Sequence, residues 1–147
     1  MMKKCKWGFG ILGIIMGALM VLCISFWRQK QAEHEKMELL CQSSAENALE
    51  NFLNYKASKN DSYYMSGVAE FRSFFTSYRF LNDTHVDGEY IWCNTVYGCM
   101  TQSPEKVQNN IQGLIDALEY LAEDYDSPKG FNLINVYSND LVYSDKQ

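Results

Sequence analysis

The chain has 147 residues, 47% of them hydrophobic and 14% aromatic, with only two prolines; this suits one compact domain with an appendage and argues against disorder. Its formal net charge of −5 divides unevenly: residues 1–27 carry three lysines and no acid, whereas residues 28–147 carry 10 Lys/Arg against 18 Asp/Glu, or +3 and −8. The division excludes a simple cytosolic enzyme and argues against nucleic-acid binding, because neutralising phosphates requires clustered positive charge.

Residues 1–6 read as a short basic tail. From Trp7 to Trp27 run 21 consecutive uncharged residues. As a helix they span about 31 Å at 1.5 Å per residue, against a hydrocarbon core of about 30 Å. A tryptophan at each end suits the headgroup interfaces. A cleaved signal peptide would need a shorter apolar core and small residues at the cleavage positions, and Leu22 before Cys23 does not fit a lipoprotein site. The segment therefore reads as a retained transmembrane signal anchor over 7–27. Lys3, Lys4 and Lys6 balance Arg28, Lys30 and Lys36 across it. With all three leading lysines packed into a six-residue tail, the expectation is a single-pass cell-membrane protein with cytosolic N-terminus and exported C-terminal domain.

Two glycine patterns lie inside this segment. Gly8, Gly10 and Gly13 spell G-x-G-x-x-G, with Glu33 at the distance a dinucleotide site would want. The following residues are apolar all round rather than an amphipathic helix after a strand, so the bilayer reading prevails. Gly13 and Gly17 form G-x-x-x-G, which would let two membrane helices approach closely and form a homodimer; the bland alternative is that glycine is common in such helices.

Residues 28–147 form an acidic domain of a size that can build its own core. Met37, Cys41, Ala48, Phe52 and Tyr55 recur at helical spacings, so the membrane helix is expected to continue outward to about Lys59, with Asn60, Asp61 and Ser62 supplying the turn and next N-cap. A second helix, about 61–82, places Tyr64, Val68, Phe71, Phe75 and Tyr78 on one face as core. Phe80 lies off that stripe and Phe74 at its margin, which makes both candidates for a partner-facing surface. Glu89–Met100 reads as a short helix, with a hairpin stapled through Cys93 and Cys99 as the alternative. Ser103 and Pro104 open a helix in which Val107, Ile111, Leu114, Leu118, Leu121 and Tyr125 repeat at spacings of four and three. Ser127 and Pro128 repeat the start signal for a last helix to about Tyr143, with Phe131, Ile134, Tyr137 and Leu141 inward. The fold class is thus all-α: an N-terminal transmembrane helix continuing into an antiparallel four- or five-helix bundle.

The chemistry is sparse. Cys41, Cys93 and Cys99 are an odd number, so at least one thiol stays unpaired; a Cys93–Cys99 disulfide would need a turn between them, and buried free thiols are the plainer reading. His85, Asp87, Glu89 and Cys93 are the only dense ligand set, without a second histidine or a CxxC pattern, so turn and cap roles are preferred to a metal. Cys93 with His85 is the sole nucleophile and base pair close in sequence, and no nucleophile elbow accompanies it. Asn60 and Asn82 begin glycosylation sequons that double as helix caps. Asp116, Glu119, Glu123, Asp124 and Asp126 crowd one helix and its end, against the macrodipole. They read either as a solvated face or as an electrostatic docking surface for a basic partner.

The sequence therefore leads to a membrane-anchored, non-enzymatic helical module that binds a membrane-proximal protein, with no catalytic, cofactor or metal site and no nucleic-acid partner. Its partner surface would comprise Phe74, Phe80, Asp116, Glu119, Glu123 and Asp124. The alternative is an extracytoplasmic sensor whose Phe71, Phe75 and Tyr78 line a small-ligand cavity. An enzyme would need a polar cleft near His85.

Overall fold

The computed structural model describes residues 3–82 and 88–143, without the side chains of residues 3–12 and Ile14. Among the described residues there are six helices and no strand: α1 Lys3–Ser58, α2 Asp61–Leu81, α3 Gly88–Gln102, α4 Pro104–Asn109, α5 Ile111–Glu123 and α6 Pro128–Tyr143. The all-helical expectation holds, with one more helix than the upper figure of five. The chain forms two compact units, Met1–Lys36 and Met37–Gln147, and α1 contributes residues to both.

In the first unit the described side chains from Ile15 to Trp27 are exposed, most of them large and apolar. Among the described residues no helix is long and apolar enough to cross a membrane. The uncharged stretch 7–27 falls only partly on them, since the side chains of 7–12 and 14 lie outside the described set.

The second unit is a bundle whose core follows the helical periodicity. The end of α1 is set by Lys59, in the left-handed region at φ 56°, and by Asn60, whose Oδ1 accepts the Ser62 N–H at 2.9 Å as the N-cap of α2. The chain then reverses. Cys41 of α1 lies beside Phe74 and Ser44 Oγ is 2.9 Å from Ser73 Oγ, while Phe52 and Tyr55 meet Tyr64, so α1 and α2 run antiparallel. Gly67 makes their approach close: a Cβ there would sit 2.7 Å from the buried Phe52 ring.

The helix expected from Ser103 to about Tyr125 is divided at Asn110 into α4 and α5. Asparagine competes with helical backbone through its own side chain. Here Asn110 Nδ2 donates to the Lys106 carbonyl at 3.1 Å, supplying a partner near the break. Ser103 occupies the N-cap of α4 but makes no side-chain cap hydrogen bond. Ser127 does cap α6, its Oγ accepting from Gly130 N at 3.4 Å. α5 and α6 pack antiparallel, Leu121 against Gly130 and Gly113 against Tyr137. All the positions expected to face inward in these helices are buried except Tyr125, which is half-buried.

Candidate functional site

α5 is the most sharply divided helix of the bundle. Ile111, Leu114, Ile115, Leu118 and Leu121 are buried, which turns Asp116, Glu119 and Glu123 outward at i, i+3 and i+7, and all three are exposed. Gln112 extends the stripe by donating from Nε2 to Asp116 and accepting from Lys56 of α1. Asp124 is exposed as the C-cap, and its Oδ1 also accepts the Asp126 N–H at 3.1 Å, so part of its role is to shape the turn.

The end of α5 is tied to α1 by residues that sequence reasoning missed. Gln42 spans the turn with its amide, donating to the Ala122 carbonyl and accepting from Tyr125 N at 3.1 Å. One turn earlier on α1, Glu38 accepts from the Tyr125 hydroxyl at 3.1 Å, and Asp126 accepts from Tyr78 at 2.9 Å. Partial burial, with the Glu38 carboxylate next in weight, pushes the Tyr125 phenol up to about 12. Tyr78 is raised by burial first and then by its bond to Asp126. Nothing in the local pattern of α1 distinguishes Glu38 or Gln42 from other polar residues, and their roles appear only when α5 is placed beside them.

Phe74 is corrected. It is fully buried, stacked on Phe131 at 6.1 Å between centroids, and is therefore no partner-facing residue. The reason is the width of the buried arc: α1 and α6 both pack on this side of α2, so the inward face extends past the expected stripe. Phe80 is 67% exposed, as expected of a residue off that stripe. It borders a groove of about 410 Å³ between α1 and α2, with Met37, Leu40, Ala69 and Thr76.

Phe71, Phe75 and Tyr78 are buried and in ring contact with aromatic neighbours: Phe71 with Phe74 and Phe75, Tyr78 with Phe131 at 4.5 Å. They fill space rather than line it. A larger cavity, about 570 Å³, opens elsewhere, at the α4–α5 junction beside Tyr137 and Asp140 of α6.

A second unforeseen arrangement joins α2 to α3. Arg79 lies over the Tyr90 ring at 4.7 Å and Arg72 over the Tyr97 ring at 5.6 Å, each guanidinium also within 3.4 Å of its tyrosine's hydroxyl. Phe75 sits against both tyrosines, with centroids 5.7 Å away in each case. The signal available in the sequence was the i, i+7 spacing of the two arginines on one helix face.

The alternative of a Cys93–Cys99 disulfide is not realised, and the plainer reading of free thiols stands. Cys93 and Cys99 lie in the one continuous helix α3 and both are free, as are Cys23 and Cys41. Six residues along a helix separate their Cα atoms by about 9 Å, beyond disulfide reach. Cys41 and Cys93 are fully buried; burial, with Asp126 second, pushes the Cys41 thiol up to about 12, and burial raises Cys93 further. His85 and Asp87 lie outside the described residues. Among the described residues no group of three His, Cys, Asp or Glu is placed to hold a metal ion. Gly13 and Gly17 have open space where a Cβ would stand. No protein-family description, curated protein or solved structure matches this chain.

Proposed function

We propose that this protein is a single-pass, membrane-anchored, non-enzymatic helical module that docks a basic, membrane-proximal protein through the acidic face of α5, as an accessory or regulatory subunit. The observation that carries this reading is the exposed row Asp116, Glu119 and Glu123, on a helix whose opposite face is anchored in the core. Carboxylates held in a row on a rigid helix steer and orient a cationic partner better than the same charges on a mobile loop. The anchor is supported by the 21 uncharged residues of 7–27 with tryptophan at each end, and by the apolar, exposed side chains from Ile15 to Trp27. Gly13 and Gly17 offer a contact for a second anchor helix.

A photo-reactive residue at position 119, in native membranes, tests the docking reading. It is expected to capture a discrete partner, and capture should fall when Asp116 and Glu123 are reversed to Arg. Undiminished capture after reversal, or no captured product, counts against this face. Location is tested by Ser66→Cys, an exposed position on α2, with a membrane-impermeant maleimide: labelling of intact cells supports export, and labelling only after permeabilisation overturns it.

The cavity beside Tyr137 and Asp140 is what favours the second reading, an extracytoplasmic sensor or small-ligand-binding bundle. Under that reading the ligand would bind at the α4–α5 junction, not among the aromatics of α2.

A further inference from the structure

The second unit is strongly acidic, yet among the described residues no carboxylate is paired with its two exposed arginines, Arg72 and Arg79. Each lies over the ring of a tyrosine of α3. Each guanidinium lies within cation–π distance of its ring and donates one N–H to that tyrosine's hydroxyl, which leaves further N–H donors available. The two tyrosines are themselves braced by the buried Phe75. The result is a pair of cations held against α3 on one helix face, seven residues or about 10.5 Å apart.

α5 carries the complementary spacing. Asp116 and Glu123 are also seven residues apart on one helix face, again about 10.5 Å, with Glu119 between them as Thr76 lies between the arginines. Among the described residues no contact joins the two sets within one molecule: Gln112 is the partner of Asp116, and the arginines meet α3.

We propose that the Arg72–Arg79 pair is a docking surface for the acidic stripe of α5 on a second copy of this chain. The inference rests on the reading of that stripe as an interaction surface, and replaces a basic protein as its partner with the local arginine pair of a second copy that is acidic overall. The contact closes as a two-fold dimer where both pairings form between the same two copies, and builds rings or rows where each copy offers its arginines to one neighbour and its carboxylates to another. Exposed ion pairs are individually weak and screened by salt. Two in register, between chains confined to one membrane, gain from the high effective concentration that confinement supplies.

The test uses two differently tagged full-length chains co-expressed in membranes, one carrying Thr76→Cys and the other Glu119→Cys, treated with a short bismaleimide. The background is the T76C chain with a wild-type partner, which accounts for the native cysteines and for any contact through the anchor. The expected result is a cross-linked heterodimer about tenfold above background. It should fall to background when the T76C chain also carries R72E/R79E. It should return when the E119C chain then carries D116R/E123R, a rescue that misfolding would not produce. D116R/E123R opposite native arginines should also abolish it. Product no higher than background, or product indifferent to these reversals, overturns self-docking. If product stays at background while photo-capture from position 119 still yields a different protein that is lost on reversal, self-docking fails and the docking face stands. If photo-capture also fails, both fall.

Discussion

The rings of Phe74 in α2 and Phe131 in α6 lie 6.1 Å apart with their planes inclined by only 22°, and this contact closes the bundle at the end where α5 turns into α6. It joins helices far apart in sequence and makes Phe74 a core residue. Phe74→Ala should cost about 3–5 kcal/mol through lost burial and the cavity left behind. Phe80→Ala, on the same helix but exposed, should stay within about 0.5 kcal/mol. Denaturant unfolding of the full chain in detergent, followed by near-ultraviolet circular dichroism, distinguishes them; equal effects would contradict the packing described.

Gln42 fastens the same end from α1. Removing its amide by Gln42→Ala leaves the Ala122 carbonyl and the Tyr125 N–H without this partner, at a cost of about 1–3 kcal/mol if neither recovers a bond from water. Hydrogen exchange should localise the effect, with Tyr125 and neighbouring amides losing protection while Tyr64 and its neighbours keep theirs.

Lys59 occupies a left-handed conformation at the junction of α1 and α2, which a side chain disfavours and glycine accepts. Lys59→Gly should stabilise the bundle by about 0.5 kcal/mol, relief of strain being offset in part by the greater freedom of the unfolded chain and by loss of the Lys59 contact with the Tyr55 ring. A fall in the midpoint of unfolding would show that the cation–π contact outweighs the strain.

Stability should decline in alkali. Burial raises Cys41 from 9.0 to about 12, and Tyr125 is raised from 10.0 to about 12. Between the ordinary and the raised value the unfolded chain has released a proton that the native state retains. Unfolding then releases protons, so stability falls as pH rises. The contribution is fully present below pH 9, begins to fall there for Cys41, and falls from about 10 for Tyr125. Unfolding midpoints measured from pH 7 to 11 should be level at first and then decline. The same burial predicts that Cys41 and Cys93 resist alkylation at pH 8 until denaturant is added, after which both react without prior reduction.

Much of the fold was legible because helix formation is read from local spacing. The start of α6 at Pro128, the turn at Asn60 and the inward set Ile111, Leu114, Leu118 and Leu121 all follow from periodicity and capping within a few residues. The break at Asn110 was missed because a single asparagine lowers helix propensity only slightly, and its cost depends on the partner its side chain finds. The α5 carboxylates could be identified because a sharply apolar opposite face fixes which side is outward.

What the sequence by itself determined was the separation of a basic tail and an uncharged, apolar stretch over 7–27 from an acidic helical remainder, and the inward face of each helix. What tertiary structure decided was the width of those faces and the pairing between them. A helix repeats every 3.6 residues whatever surrounds it, so one stripe is local information. How many neighbours cover that stripe is not. α1 and α6 together bury Phe74, α3 supplies the tyrosines that hold Arg72 and Arg79, and α1 reaches back through Gln42 to the end of α5. Each of these depends on side chains brought together from distant parts of the chain.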